Sequence, residues 1–234
     1  MSPRYRRMVR RWQKVPKIRK PRFREGFRDL TVYAVNLGKR IRVFPYLPDG
    51  SLDPDAINEF QSLFKDKDSG KEHPIHPRLI KLLYKLADRF KARQINLISG
   101  FREGPQEKSE GKHTRGLAAD IMIPGVSLGA VARAARRFGH VGVGFYPRSG
   151  FIHLDIRDGP SFFWVDRSGP GKPGCLRRIM AEAGAKFDRR WKPKKDEPKR
   201  HVNRKGKPLG AIKKPDPVSV SDERDVDKEA RPPL

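Results

Sequence analysis

The chain has 234 residues, a formal charge of +26 and a single cysteine, Cys175. One thiol excludes an intramolecular disulfide framework and any cysteine-rich zinc or iron–sulfur centre, and no apolar run reaches the roughly 18–20 residues that cross a bilayer. The length suits one ordinary domain with tails, and an apolar content of 36% is low enough to predict that part of the chain does not fold.

Residues 1–26 read as a basic N-terminal arm. Eleven Lys and Arg stand against one acid, Glu25, with Pro16 and Pro21 as breakers. No apolar stretch of a secretory signal is visible there. The predicted domain spans 27–188. Within it Leu79, Leu82, Leu83, Leu86 and Phe90 recur at helical spacing over Pro77–Lys91. Ile95–Ile98 reads as a short strand ended by Ser99-Gly100, and Ala118–Ile123 as a second strand stopped by Pro124-Gly125. Ser127 then caps a helix carrying Leu128, Val131, Ala135 and Phe138, closed by Gly139. Val141–Tyr146 and Phe151–Arg157 read as paired strands around the turn Pro147-Arg148-Ser149-Gly150. These elements predict an α+β domain, an antiparallel sheet with helices packed on one face.

Residues 189–234 form a Lys/Pro-rich C-terminal tail, predicted with the N-terminal arm to be disordered because it has little apolar surface to bury. Two readings of these basic arms stay open: solvated linkers, or electrostatic adhesion to a polyanion such as nucleic acid, anionic lipid or an anionic cell-wall polymer.

Of the six histidines, His201 lies in the tail, and His73 and His76 flank Pro74 before a helix, where a loop or capping role is expected. His113 and His153 stand apart. His113 precedes Asp120 by seven residues, across Gly116 and the small Ala118 and Ala119. In Phe151-Ile152-His153-Leu154-Asp155-Ile156 strand alternation puts Phe151, His153 and Asp155 on one face and Ile152, Leu154 and Ile156 in the core. Buried polar groups need partners or a metal. Two histidines and a carboxylate make a three-ligand zinc site with one position left for water; the alternative is that they hydrogen-bond one another at a sheet end.

The ordered series Ile98-Ser99-Gly100-Phe101-Arg102, His113-x-x-Gly116-x-Ala118-x-Asp120 and Gly142-Val143-Gly144-x-Tyr146-Pro147-Arg148-Ser149-x-Phe151-x-His153-Leu154-Asp155 resembles the M15 zinc peptidases. The similar branch is that of the murein endopeptidases, related to D-Ala-D-Ala carboxypeptidases and the hedgehog-type metal fold. Leu30–Gly38 is similar to that family's opening strand. The resemblance implies a Zn²⁺ cofactor held by His113, Asp120 and His153, and matches Arg102 to an arginine that faces substrate and the developing oxyanion. Three departures stand out. Gly150 occupies the position, three before the last histidine, where many family members carry an acid. Gly111 replaces a common Ser. The loop from Arg102 to His113 is short, with Glu103, Glu107 and Glu110 available to point inward. Asp155 is then the first choice as catalytic base, with orientation of a ligand histidine as its other role, and His140 is a weaker candidate for proton transfer.

The expected function is therefore zinc-dependent hydrolysis of amide bonds in peptidoglycan stem peptides or cross-links, as an endopeptidase or carboxypeptidase. The resemblance places such an enzyme in the cell envelope or periplasm, as a monomer whose basic arms suit an anionic wall polymer. The rival is a catalytically inactive metal- or polyanion-binding wall module, favoured by Gly150. No zinc-finger, helix-turn-helix or RNP-like pattern supports a nucleic-acid partner.

Overall fold

A computed structural model describes residues 2–103, 111–170, 176–179 and 182–211. The chain opens with α1 (Pro3–Gln13) and a small hairpin, β1 (Phe23–Arg24) and β2 (Phe27–Arg28). Next come β3 (Leu30–Ala34), β4 (Lys39–Val43), α2 (Pro54–Leu63) and α3 (Pro77–Arg89). Then follow β5 (Ile95–Ser99), β6 (Ala118–Met122), α4 (Leu128–Ala135), β7 (Val141–Tyr146) and β8 (Phe151–Ile156). β9 (Phe162–Asp166), β10 (Leu176–Ile179) and a short α5 (Ala185–Asp188) complete these elements.

Local chemistry sets the helix starts. Asp53 accepts from the Asp55 amide ahead of α2, His76 Nδ1 from the Arg78 amide ahead of α3, and Ser127 from the Ala130 amide ahead of α4. Each satisfies an amide that the first turn leaves without a helical partner. Pro54 and Pro77 follow two of these caps, where a missing N–H costs nothing.

Eight strands form one sheet in the order β10-β9-β7-β8-β6-β5-β3-β4. The α+β class holds, but the expected antiparallel sheet is mixed: β3 with β5, and β7 with β9, run parallel. Both follow from connectivity. α2 and α3 lie in the crossover between β3 and β5, the kind of long connection a parallel pair needs. β9 leaves the β7–β8 hairpin and joins the far edge of β7, which points it the same way as β7.

One face of the sheet supplies Leu30, Val32, Ile95, Leu97, Ile121, Val143 and Leu154 to the core, against Phe60 of α2, Leu79, Leu83 and Leu86 of α3, and Val131 of α4. Full burial of a side chain of this size contributes about 1.5–3 kcal/mol. The other face carries Asn96, Asp120, Met122, His153, Asp155 and Trp164, and helices are not confined to the core side. α1 lies on this second face: Asn96 Nδ2 donates to the Trp12 carbonyl at 3.0 Å, and Val9 is buried against Gly150.

The flanks differ from the disorder expected of them over their described residues. α1 is an ordered, docked helix. In the tail, Asp196 and Glu197 pair with Arg78 and Lys81 of α3, both at 2.6 Å. Residues 201–210 fold back along Glu25-Gly26 through backbone hydrogen bonds, including Gly26 N to Leu209 O at 2.8 Å. These ion pairs act together with the backbone pairing and with His201, whose Nε2 lies 2.8 Å from Asp88 Oδ1, to fasten the described part of the tail. Residues 212–234 lie outside the described part.

Candidate metal centre

The β6–β8 register sets Asp120 directly opposite His153 on adjacent strands. His153 Nδ1 lies 2.9 Å from Asp120 Oδ1. His113, in the turn before β6, brings Nε2 to 3.1 Å from His153 Nδ1 and 3.4 Å from Asp120 Oδ1. One ligating atom from each of the three residues falls within 4.8 Å of the others, and all three side chains are buried. The three residues that the resemblance names as ligands are thus brought together.

The outer atoms of both imidazoles are engaged. His113 Nδ1 is 2.6 Å from the Gly100 carbonyl oxygen, and His153 Nε2 is 3.1 Å from Asp155 Oδ2. A carbonyl and an ionised carboxylate only accept, so these ring nitrogens carry the protons. What remains facing inward is two imidazole lone pairs and a carboxylate oxygen. Three converging acceptors require a cation between them, and two imidazoles with one carboxylate suit a divalent ion of the zinc type. These residues fit the metal that the resemblance implies.

In the metal-free chain a proton takes the cation's role. Burial opposes charge on His153, but its hydrogen bonds to Asp120 and Asp155 outweigh burial and hold it up at about 9. Burial pushes the Asp120 carboxyl up, yet the two histidines carry it well below the usual carboxylate range. Asp155 is likewise buried, and His153 and Arg157 hold its carboxyl down.

Asp155 sits behind His153, away from the converging atoms. Its Oδ1 accepts from Arg157 Nε at 2.9 Å, and Oδ2 from Arg157 Nη2 and His153 Nε2, both at 3.1 Å. Both oxygens are thus committed, an arrangement suited to orienting a ligand. Gly142 makes room for it: a Cβ there would lie 2.0 Å from Asp155 Oδ2. Arg157 was readable by the same alternation, two residues beyond Asp155.

Arg102 is brought beside the cluster, its Nη2 3.9 Å from Asp120 Oδ2, with 55% of the side chain exposed. The backbone on either side is pinned, Phe101 N to Phe64 O at 2.7 Å and Glu103 N to Asp66 Oδ2 at 3.3 Å. Glu103 does not reach inward; its carboxylate meets Lys71 Nζ at 2.7 Å. Glu107 and Glu110 lie outside the described residues. His140 is not brought to the cluster either. Its Nδ1 lies 2.9 Å from the Gly159 carbonyl oxygen and its ring packs on Trp191, because it precedes β7 whereas His153 pairs with Gly144 farther along that strand.

Gly150 has φ +84, and a Cβ there would meet Val9 Cγ1 at 2.5 Å. Helix α1 fills the space an acidic side chain at this position would enter. An aromatic wall escaped the sequence reading. The Trp164 ring lies 5.3 Å from that of His153 and its Nε1 donates to Tyr146 Oη at 3.0 Å, while Tyr146 stacks on Phe151 at 4.7 Å. Alternation of Phe162 and Trp164 was the available signal.

The M15 peptidase family described as peptidoglycan L,D-endopeptidase MepK matches residues 24–164. Peptidoglycan L,D-endopeptidase MepK of Escherichia coli strain K12 is 31% identical over 150 residues, covering 58% of this chain and 80% of its own length. The probable peptidoglycan L,D-endopeptidase MepK of Haemophilus influenzae is 31% identical over 149 residues, covering 58% and 78%. No solved structure matches the chain. The extent of the family match, together with these relatives, makes the chain a member of the M15 peptidase family.

Proposed function

We propose that this chain is a zinc-dependent peptidase that hydrolyses amide bonds of peptidoglycan peptides in the cell envelope, with the L,D-endopeptidase activity of its relatives as the first to test. The observation that carries this reading is the convergence of His113 Nε2, His153 Nδ1 and Asp120 Oδ1, each imidazole having its other nitrogen occupied by Gly100 or Asp155. Zinc held there supplies Lewis acidity toward an amide carbonyl and toward water.

The chain's own groups divide the remaining tasks. Gly100 and Asp155 fix the ring orientations and tautomers of the ligand histidines. The exposed guanidinium of Arg102, held on a backbone pinned on both sides, faces the substrate side and stabilises negative charge arising on the attacked carbonyl oxygen. Trp164 packs beside the His153 ring and is itself held by Tyr146, so the two aromatics wall one side of the site. Asp155 is a positioning residue in this scheme rather than the base.

Digestion of purified sacculi followed by muropeptide chromatography tests the proposal. New products from the wild-type chain, absent with His113→Ala, support it; an unchanged profile contradicts it. Gly150, with Val9 in place of an acidic side chain, favours a second reading, a metal-holding wall module without hydrolysis. The same chromatogram separates the two.

A further inference from the structure

Helix α1 lies outside the region the family matches, which begins at residue 24. Ser2 caps it, accepting from the Tyr5 amide at 3.2 Å, and Pro3 occupies its first turn. Tyr5, Val9 and Trp12 recur at helical spacing and share one face. That face is fastened to the sheet. Tyr5 Oη donates to the Ser149 carbonyl at 2.9 Å, and Val9 packs on Gly150. The carbonyls of Trp12 and Gln13 accept from Asn96 Nδ2 and the Gly125 amide, both at 3.0 Å.

These anchors border the metal centre. Asn96 Nδ2 also touches Met122 Sδ, and Met122 stands two residues from Asp120 along β6. Gly150 stands three residues before His153. Two residues of strand span about 7 Å, so α1 walls the face that holds the cluster.

The arc opposite Tyr5, Val9 and Trp12 carries Arg4, Arg6, Arg7, Arg10 and Arg11, all exposed. Among the described residues none of the five has an acidic partner. From Arg4 to Arg11 the helix rises only about 10 Å, so these charges repel one another and a neighbouring anion relieves that repulsion. Guanidinium forks bind carboxylates in a bidentate way. A lipid surface fits poorly, because the apolar stripe is already turned onto the sheet and Met8 is the one large apolar side chain the helix leaves exposed.

We infer that the arginine face of α1 is a docking surface for the carboxylate-bearing peptidoglycan network, which it holds beside the metal centre. The choice of polymer rests on the peptidase reading above. The docking itself is measured without catalysis, by co-sedimentation of the full chain with purified sacculi across a salt series, in a His113→Ala background and, on ice, with the wild-type chain. Combined Arg4→Gln, Arg7→Gln and Arg11→Gln is expected to weaken sacculus binding at least tenfold at about 50 mM salt and to flatten its salt dependence, the mark of lost ionic contacts. A charge-matched tail variant, Lys199→Gln, Arg204→Gln and Lys207→Gln, is expected to change binding less than threefold.

Equal losses in the two variants would show bulk charge at work and overturn the inference. So would unchanged sacculus binding, or α1-dependent sedimentation with anionic lipid vesicles or duplex DNA but not with sacculi. If the wild-type chain cleaves no sacculus yet sedimentation still depends on α1, the peptidase reading fails and the docking surface stands.

Discussion

On β8, Ile152, Leu154 and Ile156 lie in the apolar core, while His153 and Asp155, the residues between them, lie on the opposite face, which carries the metal centre. β6 repeats the division, with Ala119 and Ile121 on the core side and Asp120 on the other. Side chains alternate along a strand, so the backbone register fixed by packing on one face also fixes the distances between ligands on the other. The core face supplies stability, and the site face receives a geometry it does not have to stabilise itself. Neighbouring residues in sequence should therefore fail in different ways.

Substitutions on the site face should produce the largest functional effect. His113→Ala or Asp120→Ala is expected to lower metal affinity and peptide hydrolysis by at least about 1000-fold, since a two-ligand site holds the ion poorly. Circular dichroism and metal analysis of the same samples should find a folded, metal-poor chain. Leu154→Ala, one residue from His153, should do the reverse. A buried leucine truncation costs about 2–5 kcal/mol, read as a lower denaturation midpoint, while the folded fraction still binds metal.

Two substitutions sharpen the comparison within the site face. Asp155→Asn keeps the shape but removes the charge that orients His153, and should weaken metal binding by about 10–100-fold. Arg102→Lys should leave metal affinity unchanged and lower kcat/KM by about tenfold, because an ammonium does not reproduce the guanidinium fork. Isothermal titration with zinc separates the two effects from each other.

Over a single pH unit, pH changes metal affinity no more than Arg102→Lys changes kcat/KM. In the metal-free chain His153 is held up at about 9, above its ordinary value near 6.5. It is protonated at neutral pH and must lose that proton to bind a metal. Metal affinity should therefore rise about tenfold per pH unit up to about 9 and then level off, with close to one proton released per ion. For the metal-free fold the sign is opposite. A raised folded-state pKa contributes stability that is fully present below about 6.5 and is lost as pH climbs through about 9. Thermal melts of the metal-free chain at pH 6 and 9 check this.

Strand alternation made His153 and Asp155 stand out among apolar residues. His113, seven residues before Asp120, is a weak signal by spacing alone, and the ligand set came from the resemblance to the M15 peptidases. His140 was misleading for a local reason: its nearness to β7 in sequence says nothing about which end of the strand faces the cluster. The parallel pairings were not legible, because the edge that β9 joins is decided by packing across the whole sheet. α1 was hidden by composition. Tyr5, Val9 and Trp12 do form a helical stripe, but five arginines dilute it, and the surface that receives it comes from Asn96, Gly125 and Gly150, far along the chain.

Zinc titration of the metal-stripped full chain, followed by calorimetry and elemental analysis, tests the central claim most directly. Tight binding of one zinc per chain, abolished by His153→Ala, is the expected result. A chain that takes up no zinc, or binds it equally well without His153, would contradict the assignment of His113, Asp120 and His153 as a metal centre.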